Sequence, residues 1–288
     1  MNSTNMIARQ ITKDTSETKY CSSILTISDS EKQLFTNFIK LINDKLDVSA
    51  DANAQRCKNF INYNLTQYTI IAKSSSWLEN GMPHTHENII FFPQKWFDEI
   101  GNTTTRTNLM RITDNGGTLA HEIIHIIQRL HPSKFEKLYE RWGFIHTTYI
   151  DNFVNIEQLN RENPDGRDIK WIWKQPNSRP PKFYWFGAVF KTDSPSRLSD
   201  VEYLIYPIYE IDSKNKQFKL MENGGSKLEL SACNEHNVFF GITNNHYHPN
   251  EIVAEYFTIW FKNICGLNGG IQSDAYLIFE SWLLSELL

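Results

Sequence analysis

Thr118-Leu119-Ala120-His121-Glu122-Ile123-Ile124-His125-Ile126-Ile127 is the stretch from which the rest of the chain is read. It contains the pattern H-E-x-x-H. On an α-helix, residues four apart share one face, one turn above each other. His121 and His125 can therefore offer two imidazole nitrogens to one metal ion. Glu122 is rotated by about 100° from His121. That offset suits a carboxylate that touches a metal-activated water rather than the metal. Zinc brings the pKa of such a water to about 7, and a neighbouring carboxylate can take its proton as it attacks a carbonyl.

The alternative is a helix that carries two histidines by accident. The surrounding residues weigh against it. Leu119, Ala120, Ile123, Ile124, Ile126 and Ile127 make the helix apolar nearly all round, the pattern of a buried helix. Two histidines and a glutamate on a buried helix need polar partners, and a metal is one.

His121-Glu122-Ile123-Ile124-His125 resembles the zinc helix of the zincin superfamily of metallopeptidases. A later stretch, His248-Pro249-Asn250-Glu251-Ile252-Val253-Ala254-Glu255-Tyr256-Phe257, is similar to the second zinc helix of the gluzincins, the thermolysin-like branch. The resemblance implies Glu251 as third zinc ligand and Glu255 as the carboxylate that holds a ligand histidine, His121. It covers these two helices and not the whole chain. It departs from the family in spacing: Glu251 lies 126 positions after His125, so an insertion separates the helices.

The resemblance implies one zinc ion per chain, held by His121, His125 and Glu251 with water as fourth ligand. Glu122 is then the general base. His246, Tyr247 or His248, beside the third ligand, is expected to stabilise the oxyanion. A first rival places His131 as the third ligand, its position in the metzincin pattern H-E-x-x-H-x-x-G-x-x-H. On a straight helix His131 lies about 15 Å along the axis from His121 and about 80° round from it. Metzincins bend the chain at a glycine, where this chain has Gln128. A second rival is a zincin-fold protein that binds zinc without turnover. Glu122 argues against it, because a structural site needs no base.

The chain has 288 residues, 40% of them hydrophobic and 22% charged, with net charge −4. That is globular composition. No Lys/Arg block points to nucleic acid, and no apolar run approaches a membrane span. The expected partner is a peptide or protein substrate, with neither nucleic acid nor membrane. The polar N-terminus has no secretory pattern, and Cys21, Cys57, Cys233 and Cys265 form no C-x-x-C. A reduced, intracellular protein is expected.

The expected fold class is α+β: a zinc-binding helix pair, a small mixed or antiparallel sheet and a β-rich insertion. Residues 1–25 read as a tail, 26–288 as one catalytic domain with the insertion at about 145–245. Ser28-Asp29-Ser30-Glu31 is a capping box that opens a helix to about Leu46. A second helix is expected near Gln55 to Tyr63. Tyr68 to Ala72 and Pro83 to Pro93 read as strands, separated by the turn Glu79-Asn80-Gly81. In zincins the strand before the zinc helix borders the cleft, so His84 and His86 are candidate substrate-binding residues. Solvated histidines on an edge strand are the other reading. Short helices are expected over Pro93 to Ile100 and Thr105 to Ile112, then a loop at Asp114-Asn115-Gly116-Gly117, with Thr118 as helix cap. His131-Pro132 ends that helix, and Ser133 caps the next, which stops at Gly143. Trp171 to Trp173, Lys182 to Phe190, Val201 to Ile211 and Lys216 to Met221 read as strands, forming either a cleft wall or core. Asn163-Pro164-Asp165-Gly166 and Asn223-Gly224-Gly225 read as turns. Helices are expected from Pro249 to about Asn263 and from Ser273 to Leu287.

Overall fold

The computed structural model describes residues 21–106, 109–153, 160, 170–191, 200–220, 227–241, 245–267, 270 and 273–288. They form a mixed α+β fold with two sheets. The expected turns at 163–166 and 223–225 lie outside these residues, as does 1–20 of the expected tail. The chain divides into two compact units, one built on Ile11–Pro132, Val253–Ile271 and Leu283–Leu288, the other on Ser133–Ile252 and Gln272–Trp282.

In the first unit, β1 (Ile24–Leu25) is followed by helices α1 (Asp29–Asp47) and α2 (Ala54–Gln67). The Ser28 capping box is formed in full, with Ser28 Oγ accepting from Glu31 N–H and the Glu31 carboxylate accepting from Ser28 N–H. Strands β2 (Ile70–Ser74), β3 (His84–His86) and β4 (Ile89–Pro93) complete a mixed four-stranded sheet of order β1-β2-β4-β3. Two expectations change here. Ile24–Leu25, read as tail, pairs with β2. The single strand expected over Pro83 to Pro93 is an antiparallel hairpin, turning at Glu87 with φ 53°.

Helices α3 (Gln94–Arg106) and α4 (Leu109–Leu130) follow. The loop expected at Asp114–Gly117 does not form; these residues lie inside α4, and the short helix expected at Thr105 to Ile112 supplies its first turn. Thr118 is not a cap: its hydroxyl donates to the Asp114 carbonyl one turn back. Two interior glycines cost about 1 kcal/mol each relative to alanine. Tertiary contact offsets that cost. A Cβ on Gly116 would stand 2.9 Å from Phe261 Cζ, and one on Gly117 3.0 Å from Thr258 Cγ2. The glycines thus let α4 lie close against α7 (Pro249–Ile264). Thr258 Oγ1 donates to the Gly117 carbonyl, and Lys262 pairs with Asp114 at 2.7 Å.

In the second unit, α5 (Pro132–Arg141) starts at Pro132 itself, one residue before the expected cap Ser133. It ends at Arg141, and Gly143, two residues on, turns the chain with a φ of +90° that few other residues adopt. A seven-stranded sheet follows: β5 (Phe144–His146), β6 (Tyr149–Asp151), β7 (Trp171–Lys174), β8 (Phe183–Phe190), β9 (Val201–Asp212), β10 (Gln217–Leu220) and β11 (Leu228–Glu229). Its order is β5-β7-β8-β9-β10-β6, with β11 also on β9. Phe183, Trp185, Leu204, Tyr206, Phe218 and Leu220 recur at period two and bury one face as core. Helices α6 (Asn234–Phe240) and α8 (Asp274–Trp282) belong to the same unit; the π-helix that follows, Leu283–Leu287, belongs to the first.

Candidate metal site

His121, Glu122 and His125 all lie on α4, which runs unbroken to Leu130. Glu122 and His125 are buried and His121 is half-buried. The two imidazoles meet edge to face, their Nε2 atoms 3.1 Å apart. Glu251 stands in the first turn of α7 and is also buried. The boundary between the units falls inside α7, between Ile252 and Val253, so Glu251 counts with the second unit and Val253–Ile264 with the first. Ligand atoms of His121, His125 and Glu251 all lie within 4.8 Å of one another, and this group could hold a metal ion. Among the described residues it is the one such group of histidine, cysteine, aspartate or glutamate.

The donor set fits a divalent transition metal. Two imidazole nitrogens and one carboxylate are a three-ligand set that leaves a coordination position open. Two Nε2 atoms at 3.1 Å need a proton or a cation between their lone pairs. His131, the rival third ligand, is exposed beyond the end of α4 and does not join the group. Glu255 is half-buried one turn along α7 from Glu251.

Other sequence candidates fall in different settings. His84, on β3, is a buried side chain. It is 2% exposed, stacks on Phe91 with ring centroids 5.1 Å apart, and bonds the Met82 carbonyl through Nδ1. His86 is half-buried on the same strand, the outermost of its sheet. His246 is fully buried; its Nδ1–H donates to the Gly241 carbonyl. Burial pushes its pKa down to about 4. Tyr247 is buried against the Tyr203 ring. His248 caps α7, its Nδ1 accepting from Asn250 N–H at 3.2 Å.

Sequence reasoning missed three side chains. Gln128 Oε1 lies 2.9 Å from His125 Nδ1; the i, i+3 spacing on one helix was the available signal. Arg129 donates to the His125 carbonyl, to Thr85 Oγ1 and to the Glu87 carbonyl, tying α4 to the β3–β4 hairpin. His236 is buried among Trp173, Phe186 and Phe240 and donates to the His246 carbonyl. Burial, then the nearby His246, pushes its pKa down to about 3. The four cysteines are free thiols, Cys57, Cys233 and Cys265 buried and Cys21 exposed. No helix among the described residues is long and apolar enough to cross a membrane.

Comparison of the chain with protein-family models, with curated proteins and with solved structures finds no match.

Proposed function

We propose that the chain is a zinc-dependent metallopeptidase of zincin type, with His121, His125 and Glu251 as ligands to one zinc and Glu122 as general base. The observation that carries this reading is the meeting of two imidazoles and a carboxylate from helices 126 positions apart, with a buried glutamate next to the first imidazole. Zinc in such a set supplies a Lewis acid that brings the pKa of water to about 7. The Glu122 carboxylate accepts a proton from the water as the water oxygen bonds to the peptide carbonyl carbon. It returns that proton to the leaving nitrogen as the C–N bond breaks. Glu255, one turn along α7 from Glu251, would then be the carboxylate that holds the His121 ring.

Among the three oxyanion candidates, tautomer favours His248. Its Nδ1 accepts a backbone N–H, so in the neutral ring the proton sits on Nε2, the tautomer an Nε2 donor to an oxyanion would need. His246 has the opposite arrangement, with Nδ1–H spent on a carbonyl. The substrate is a peptide or protein, and an extended chain would add to the sheet along its outer strand β3.

Glu122→Gln tests the reading. The variant should bind one zinc per chain and lose hydrolysis of a mixed peptide library by several orders of magnitude relative to the wild type. Undiminished cleavage by the zinc-loaded variant would remove Glu122 as base; absence of chelator-sensitive cleavage in the wild type would leave a zinc-binding protein without turnover.

A further inference from the structure

We infer that Gln128 is a positioning residue that fixes the tautomer of His125 and so aims the His125 Nε2 lone pair at the metal. The inference rests on the metal-site reading above and adds a residue that neither the H-E-x-x-H pattern nor the second helix motif contains.

His125 is fully buried and Gln128 is 5% exposed, so bulk water does not compete for the ring. A neutral imidazole carries one N–H and one bare nitrogen. The Gln128 carboxamide oxygen, 2.9 Å from Nδ1, can only accept. The proton therefore sits on Nδ1, and Nε2 is left as a lone pair, 3.1 Å from His121 Nε2. The opposite tautomer would put a proton where the metal belongs and set the Gln128 oxygen against a second lone pair. The bond also fixes the ring about χ2, because Gln128 sits on the same helix, three residues on.

The choice of an amide has its own consequence. A carboxylate partner on a ligand histidine raises the basicity of the ring and tightens the metal. Of the carboxyl groups on this pair of helices, three, Glu122, Glu251 and Glu255, already stand beside, at or one turn from a proposed ligand position. An uncharged acceptor orients His125 without a fourth.

Two measurements test the inference on the full-length chain. The first needs no metal. Histidine side-chain nitrogen shifts in the zinc-free protein should show His125 as the Nδ1–H tautomer. In Gln128→Leu, which keeps bulk but removes the acceptor, that population should fall; in Gln128→Glu it should persist. The second is zinc affinity by chelator competition. Gln128→Leu and Gln128→Ala should bind zinc about 10- to 100-fold more weakly, and Gln128→Glu should bind as tightly as wild type or more so. Packing alone predicts the reverse order, with leucine tolerated and a buried glutamate worst. An Nε2–H tautomer in wild type, or equal zinc affinity in wild type and Gln128→Leu, would overturn the inference. A wild type that binds no zinc while its His125 is Nδ1–H would instead overturn the metal site and leave Gln128 as the cause of the tautomer.

Discussion

Replacing Gly116 with alanine should cost stability even though alanine is the better helix former. Gly116 lies in the interior of α4, where Gly→Ala ordinarily gains about 1 kcal/mol. The new Cβ would meet Phe261 Cζ at 2.9 Å, Phe261 Cε1 at 3.0 Å and Ile42 Cδ1 at 3.3 Å. Phe261 is 0% exposed and Ile42 1%, so neither can move into solvent. Overpacking of this kind costs about 1–3 kcal/mol, so the net effect is a loss of up to about 2 kcal/mol. Two other glycines calibrate it. At Gly117 the tightest neighbours are Thr258 Cγ2 at 3.0 Å and the flexible Lys262 side chain at 3.2 Å, so Gly117→Ala should be near neutral. At Gly101, in α3, the nearest atom is Leu34 Cδ1 at an ordinary 3.5 Å, so Gly101→Ala should stabilise by about 1 kcal/mol. Urea unfolding of the three zinc-free variants should rank them Gly101→Ala, Gly117→Ala, Gly116→Ala from most to least stable. Gly116→Ala should also weaken zinc binding, because the displaced helix carries Glu251. If Gly116→Ala proves as stable as Gly101→Ala, close helix contact is not why the glycines are there.

Three further outcomes are expected. Zinc titration should show severe weakening in Glu251→Ala, a smaller loss in Glu255→Ala and none in His131→Ala; an essential His131 would transfer the third-ligand role to it. The zinc-free protein should lose stability as pH falls from 7 to 5. His236 and His246 stay neutral when folded, with pKa values near 3 and 4, while the unfolded chain protonates them near 6.5. Protons thus bind the unfolded state preferentially below pH 6.5, at about 2 kcal/mol for each histidine by pH 5; denaturation curves that coincide at pH 7 and 5 would contradict this. Glu31→Gln should destabilise by about 1–2 kcal/mol, because it leaves Lys73, its partner at 2.7 Å, without its carboxylate at a site only partly screened by solvent. Lys73, followed by Ser28 and Gln94, holds the Glu31 carboxyl down near 2, so this contribution should persist above pH 4.5 and disappear only as the pH approaches 2, which acid titration of wild type and variant would check.

What the sequence made legible was what is decided locally. The Ser28–Glu31 capping box, the stop at His131-Pro132 and the Pro249 helix start each depend on a few adjacent residues, and each forms. The pairing of His121 and His125 follows from helix geometry alone, and their meeting with Glu251 follows from the second motif. Other features depend on distant partners. Gly116-Gly117 carries a loop signal that Phe261, 145 positions on, overrules. Glu87 takes a left-handed turn conformation without glycine or asparagine at that position, so the hairpin reads as one strand. His84 alternates with His86 as an edge residue would, but Phe91 across the hairpin covers it. Gln128 was visible only as a residue that is not glycine. Its bond to His125 depends on rotamers, which spacing does not specify.

The Arg129 guanidinium grips the carbonyl of His125 with one nitrogen and the β3–β4 hairpin with the other two. The outer strand and the ligand helix are therefore one mechanical piece, like a ruler riveted to a blade. An extended chain advances about 3.3 Å per residue. On the peptidase reading proposed above, a ruler so fixed would turn such steps into discrete settings, and which bond of a bound peptide came to lie at the blade would be a matter of register and not of reach.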